Sequence, residues 1–216
     1  MISVVLADDH HIVRHGLQTL LDSQAELHVV GQASDGVETC QLVERLQPDV
    51  LVVDIMMGGM NGIEVTRNVR KLSPNTRVVV LSMHADEGYV MEALRAGAKG
   101  YVLKDSITED LLHAIGEAML GRRYLSPPVS EHVIEEYLHK SEGMAPKPYE
   151  RLTVREREVF HLLTQDLNNA QIAARLCVSR RTIEVHRANM MRKLGLRRQV
   201  QLLRYAVQQG MLPVEK

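Results

Sequence analysis

The chain has 216 residues, 45% of them hydrophobic and 25% charged, with a formal net charge of −1. This composition can build cores, which excludes a disordered polyelectrolyte, and the length suits two domains. Two cysteines far apart exclude a disulfide framework or a cysteine-based metal site, and no run approaches the ~18 apolar residues that a membrane span needs.

The near-zero net charge hides an asymmetry. Residues 1–125 hold 11 Lys and Arg against 17 Asp and Glu, a balance of −6. Residues 126–150 balance to −3, and residues 151–216 to +8. An acidic front and a basic back imply two jobs, the second facing a polyanion. Aromatic residues are 3% and Trp is absent, so the cores rest on aliphatic side chains. Cys40 and Cys177 read as buried small hydrophobes in a reducing compartment. Asp8 and Asp9 interrupt the N-terminal apolar run, so no signal peptide is read and the expected location is cytoplasmic.

In chain order, short apolar runs predict strands at 2–7, 28–33, 49–53, 77–82 and 99–103. Helical spacing predicts helices at about 11–22, 36–47, 62–72, 86–96 and 107–121. Five strands alternating with five helices predict a doubly wound five-stranded parallel sheet. Residues 122–150 change character: paired prolines open the stretch and Pro-Lys-Pro closes it. It reads as a linker with a short helix at about 129–140, or as a plain tether. Residues 151–216 predict four helices and no strand. Thr153 with Glu156 three residues on marks a capping box at the first. The others fall at about 168–176, 179–194 and 199–210.

In an open parallel sheet, ligands sit at the carboxyl ends of the strands, where the strand order reverses. Asp8 and Asp9 end the first strand, Asp54 the third, Ser82 the fourth and Lys104 the fifth. Three converging carboxylates call for a cation, and an all-oxygen donor set suits Mg²⁺. A carboxylate so placed can attack phosphorus and form an aspartyl-phosphate. Lys104 then supplies a point charge and Ser82 a hydroxyl. The spacing of His10, His11 and His15 offers no ligand set, so these read as solvated or core-edge residues.

The motifs LADDH, VVDIMM around Asp54, VVLSMH from Ser82 onward and GYVLK ending at Lys104 resemble a two-component receiver domain over residues 1–121. The resemblance implies that Asp54 accepts phosphate from a sensor histidine kinase. It implies Mg²⁺ held by Asp9 and Asp54, by Asp8 largely through water, and by the Met56 carbonyl. It implies Ser82 and Tyr101 as a switch pair. One departure stands out: Gly58 stands where such receivers usually carry proline, which loosens the loop.

Residues 168–196 pair two helices about a short turn. In the second, Ile183, His186, Met190 and Leu194 share one face. Arg181, Glu184, Val185, Ala188 and Arg192 lie on the other, flanked by Arg180, Arg187 and Lys193. A basic outer face with small residues fits a helix in the DNA major groove. LTVREREVFHLL (152–163) and IAARLCVSRRTIEVHRANMMRKL (172–194) resemble the DNA-binding domain of the NarL/FixJ, or LuxR-type, group over residues 151–212. The resemblance implies Glu184, Val185 and Ala188 facing bases, Arg187 and Arg192 nearer the backbone, and dimerisation through the last helix. Asp166 replaces a usual glycine and Ala170 a common lysine.

The sequence thus reads as a phosphorylation-controlled transcriptional regulator acting on double-stranded promoter DNA, a homodimer when active, with no membrane partner. It reads as no enzyme beyond phosphorylation and dephosphorylation of itself. Three rivals remain at this point. A phosphatase or phosphotransferase needs a substrate cleft and a second acid–base carboxylate. A flavodoxin-like cofactor binder needs a phosphate-cradling loop after the first strand. A DNA-binding regulator with a vestigial receiver is kept alive by Gly58.

Overall fold

A computed structural model describes residues 1–131, 133–134, 148–209 and 211. The chain forms two compact units, Met1–Glu142 and Gly143–Lys216. In the first, strands β1 (Ile2–Ala7), β2 (Leu27–Ala33), β3 (Val50–Asp54), β4 (Arg77–Ser82) and β5 (Gly100–Leu103) alternate with helices α1 (His11–Asp22), α2 (Gly36–Leu46), α3 (Gly62–Leu72), α4 (Glu87–Ala96) and α5 (Ile107–Met119). A sixth strand, β6 (Tyr124–Leu125), follows. All pairings are parallel and the order is β2-β1-β3-β4-β5-β6.

Every residue of β3 is buried, which is why its sequence is an unbroken apolar run. The edge strand β2 instead alternates between exposed and half-buried positions. One sheet face packs Val4, Leu6, Val52 and Leu81 against Leu17, Leu21, Leu111 and Ile115 of α1 and α5. Each such side chain contributes about 1.5–3 kcal/mol on burial. Caps set the helix starts: Asp35 accepts from the Val37 and Glu38 amides, and Asn61 and Glu64 form a capping box.

β6 corrects the expected five strands to six. It falls in the stretch read as linker, because two residues are too few to show a period. Tyr124 N donates to Lys99 O at 2.9 Å, and Ser126 N to Tyr101 O at 3.0 Å. This covers the edge that β5 would otherwise leave open. Asp110 of α5 latches the addition. It accepts from Ser106 Oγ at 2.6 Å, from Tyr124 Oη at 2.7 Å, and from Ser126 Oγ. Residues 127–131 and 133–134 are helical and Val129 is fully buried; the rest of the expected 129–140 helix lies outside the described residues.

Burial alone would raise the Asp110 carboxyl, but the hydroxyls of Ser106, Ser126 and Tyr124 hold it below its ordinary value. Tyr124 is pushed up to about 12 by burial and by Asp110. A depressed carboxylate stabilises the fold above its unfolded pKa, ~3.9, and that stability drains as pH falls through the lower folded value. Asp110→Asn should cost about 1–3 kcal/mol at neutral pH and flatten this acid-side loss. Denaturant titration at several pH values checks both; an unchanged midpoint at neutral pH would show the latch to be idle.

Among its described residues the second unit begins with a 3₁₀ turn at Pro148–Arg151, whose Tyr149 is buried in the same core as the helices. Helices α6 (Val154–Thr164), α7 (Asn169–Arg175), α8 (Arg180–Leu194) and α9 (Gln199–Gln208) follow. The Thr153–Glu156 capping box is present. Phe160, Leu163, Ile172, Ile183, Met190 and Leu202 share one core. Asp166 has φ +62°, a left-handed conformation that explains the glycine usual there. The cysteine reading needs correction: Cys40 is half-buried and Cys177 exposed, the latter at φ +51° in the turn before α8. Among the described residues no helix is long and apolar enough to cross a membrane.

Candidate functional site

The strand order reverses between β1 and β3, so their carboxyl ends flank a crevice. Asp8 is fully buried there and Asp54 is 2% exposed. Lys104 Nζ, delivered from the end of β5, sits 2.6 Å from Asp8 Oδ2 and 2.9 Å from Asp54 Oδ2. Asp9 lies beside them with a partly exposed side chain. Ligand atoms of Asp8, Asp9, His10 and Asp54 all fall within 4.8 Å of one another. Burial pushes the Asp54 carboxyl up; the Lys104 ammonium opposes this and the Asp8 carboxylate adds to it. Burial works against the Lys104 charge, but Asp54 and Asp8 outweigh it and hold its pKa above the ordinary value. One ammonium facing three carboxylates leaves an excess of negative charge. A small divalent cation with oxygen ligands fits that donor set. The Met56 amide hydrogen-bonds to the Asp54 carboxylate, bringing the β3–α3 loop to the site.

Ser82 is fully buried and its hydroxyl accepts the His84 amide at 3.0 Å. Tyr101 is also fully buried, and its hydroxyl donates to the His84 carbonyl at 2.7 Å. The two residues read as a switch pair therefore meet through the backbone of a third. The His84 ring stacks on Tyr89 with centroids 5.7 Å apart, and burial pushes its pKa down to about 4. Its place two residues after Ser82 is the only sequence signal for this role. His10 is exposed, as read, but its Nδ1 lies 2.7 Å from Asp9 and 3.2 Å from Asp8, so it also joins the acidic cluster. The signal was its adjacency to the acidic pair.

Gly59 has φ +75°, whereas Gly58 does not have a positive φ. Proline is therefore compatible in sign at position 58 and barred at 59. Gly58→Pro should tighten Mg²⁺ binding severalfold, by removing freedom from the loop before the metal arrives. Calorimetric titration with Mg²⁺ measures this, and equal affinity in the two proteins would refute it.

On α8, Ser179 caps the start by accepting from the Thr182 amide at 3.1 Å, and Gly195 ends the helix at φ +69°. Ile183, Met190 and Leu194 are buried, and His186 is half-buried among them. Burial and the Arg155 charge lower the His186 pKa. Arg181, Glu184, Val185, Ala188 and Arg192 are exposed along the other face. Glu184 pairs with Arg180 at 3.2 Å. The flanking cations are less free. Arg187 donates to Asn169 Oδ1 and to Gln199 Oε1, each at 3.0 Å, bridging α7 to α9. Lys193 Nζ lies 2.6 Å from Glu156 Oε2. Burial disfavours the Glu156 charge, but Lys193 and the Thr153 amide overcome that and lower its pKa. Helical spacing placed Arg187 and Lys193 at the flanks without showing these partners.

The response regulator receiver domain family matches residues 4–116, and the luxR family of bacterial regulatory proteins matches residues 150–206. This chain belongs to the LuxR-type response regulators. The oxygen regulatory protein NreC of Staphylococcus carnosus (strain TM300) is 36% identical over 213 residues, covering 97% of this chain and 98% of its own. Among solved structures, the response regulator ChrA of a heme-sensing two-component system is 34% identical, covers 98% of both chains and superposes with a TM-score of 0.54. RcsB of Salmonella enterica serovar Typhimurium, bound to the promoter rprA in the presence of the phosphomimetic BeF3−, is 27% identical. It covers 94% of this chain and 97% of its own, with a TM-score of 0.66. As a LuxR-type response regulator the chain is a phosphorylation-regulated transcription regulator, its receiver joined to a luxR-type DNA-binding domain.

Proposed function

We propose that Asp54 is the phosphoacceptor, taking a phosphoryl group from a phosphohistidine of a sensor kinase. The observation that carries this is the buried Asp54 carboxylate beside Lys104 and the Asp8–Asp9 pair. An Asp54 oxygen bonds to phosphorus as the P–N bond to the donor imidazole breaks, and the imidazole leaves with a proton. Asp8, Asp9, Asp54 and the Met56 carbonyl would hold Mg²⁺, which would supply charge neutralisation for the transferring phosphoryl group. Lys104 turns from the free carboxylates to a phosphoryl oxygen. Ser82, whose oxygen accepts the His84 amide, donates its hydroxyl hydrogen to another phosphoryl oxygen, and Tyr101, bound to the same His84, registers the change. Water attack on phosphorus later restores the carboxylate, so the only turnover is of the chain's own phosphate.

On α8, Glu184, Val185 and Ala188 face base edges in the major groove of promoter DNA, and Arg181 and Arg192 contact phosphates. Arg187 and Lys193 stand at the groove's flanks, where their bonds to Asn169, Gln199 and Glu156 also set the angle of the helix. Val200, Leu203 and Val207 form an exposed apolar stripe on α9, spaced three and four apart, which suits pairing with a second copy. Kinase and promoter both place this work in the cytoplasm. Phosphorylation shifts the receiver toward a state that permits dimerisation and DNA binding.

The test compares operator binding by resting and acetyl-phosphate-treated protein, with Arg181→Ala alongside. Phosphorylation should tighten binding. Arg181→Ala should weaken both states and reduce the salt slope by about 1. Equal binding by resting and phosphorylated protein overturns the switch.

A further inference from the structure

Residues 1–125 are acidic overall, yet five of their eleven Lys and Arg residues surround one cavity. Arg70, Arg77, Arg95, Lys99 and Arg123 line a space of about 490 Å³. It lies where β4 and β5 begin, at the opposite edge of the sheet from Asp54. No carboxylate is among the lining residues. Its apolar part comes from Pro74, Val78 and Leu94.

Two of the cations have an ordinary explanation. Arg70 and Arg95 sit in the last turns of α3 and α4, where a positive charge offsets the helix dipole. Arg77 opens β4, Lys99 precedes β5 and Arg123 precedes β6, so no helix end accounts for them. Nor does ion pairing. Arg95 reaches Glu92 only at 3.6 Å. Arg77 donates to the Asn75 carbonyl at 3.2 Å and Lys99 to the Gly121 carbonyl at 3.4 Å. Among the described residues, no carboxylate pairs with Arg70, Arg77, Lys99 or Arg123. Like charges gathered around a concavity repel one another, and a bound polyanion relieves that repulsion.

We propose that this cavity binds a small ligand carrying two or more phosphate groups beside an apolar body, the class of nucleoside di- and triphosphates. Arginine forks match phosphate oxygens in pairs. The volume lies within the range of about 300–1,000 Å³ typical of small-molecule sites. The apolar part gives a base or sugar face something to pack on. A DNA backbone would leave that concave apolar surface uncovered. The site is separate from the acidic pocket and goes beyond the phosphoacceptor reading.

Equilibrium dialysis of the full chain in EDTA, which keeps metal out of the acidic pocket, tests this with ATP, GTP and inorganic pyrophosphate as probes. ATP or GTP should bind saturably, one per chain, and about tenfold more tightly than pyrophosphate. The double variant Arg70→Glu/Arg123→Glu should weaken binding at least about tenfold. Lys71→Glu/Arg122→Glu makes the same charge change outside the lining and should stay within about threefold. Circular dichroism of both variants checks that they fold. The proposal fails if no probe saturates below about 10 mM. It fails if the two double variants lose affinity equally, which marks a diffuse charge effect. Equal affinity for pyrophosphate and nucleotide removes the apolar body and overturns the nucleotide class. A loss in Arg70→Glu/Arg123→Glu confined to duplex DNA binding, with no nucleotide bound, assigns the patch to DNA and overturns it as well.

Discussion

Asp54→Asn protein treated with acetyl phosphate and Mg²⁺ gains no phosphoryl group by intact mass, while the wild type gains one. The substitution keeps the shape of the side chain and removes the nucleophile. It also removes one of the carboxylates that crowd the site, leaving Lys104 paired with Asp8 at 2.6 Å. Burial and Asp8 make the Asp54 charge costly in the folded chain. Asp54→Asn should therefore equal or exceed the wild type in metal-free stability, while Mg²⁺ affinity falls at least about tenfold through the loss of a charged ligand. The combination separates chemistry from folding: phosphorylation and metal binding go, and the fold stays. A phosphoryl group on the variant would move the acceptor to another residue. Failure of the wild type to gain one, from acetyl phosphate and from candidate kinases alike, would leave a DNA-binding protein with a differently triggered receiver.

Much of this site is legible because of how parallel sheets are built. Strands buried on both faces appear as unbroken apolar runs, and β1 and β4 fall on the residues their runs mark. A doubly wound sheet brings all strand ends to one edge, so Asp8, Asp54, Ser82 and Lys104 could be grouped without knowing any distance. Helix starts were readable where the caps are local, as at Thr153 and Glu156. Contacts between segments distant in sequence were not readable. β6 is two residues long and exists because β5 offers an edge and Asp110 collects three hydroxyls around it. His84 joins Ser82 to Tyr101 through its backbone, which carries no side-chain signature. Arg187 and Lys193 occupy the flanks that helical spacing assigns them, but their partners lie 12 to 37 residues away.

Gly62→Ala should displace Asp54 and slow its phosphorylation. A Cβ at position 62 would lie 2.2 Å from the Asp54 carbonyl oxygen, 2.9 Å from its carbonyl carbon and 3.0 Å from Ile55 Cα. All three are backbone atoms, so no side chain can swing aside. The Gly62 amide also donates to the Ile55 carbonyl at 3.0 Å, pinning the start of α3 to the end of β3. Relief requires that α3 retreat or that Asp54 move, and overpacking of this kind costs about 1–3 kcal/mol. A displacement near 1 Å at the nucleophile would slow phosphoryl transfer by about a hundredfold. Gly116→Ala is the matched control. It lies in α5 with nothing within 4 Å of its Cβ position, and should stabilise the chain by about 0.5–1 kcal/mol through helix propensity. The pair is read by denaturant midpoint and by phosphorylation rate from acetyl phosphate. If Gly62→Ala is phosphorylated at the wild-type rate, the contact between α3 and the Asp54 backbone does not hold the nucleophile. If it is slowed while Gly116→Ala is not, the end of β3 owes its position to a residue with no side chain.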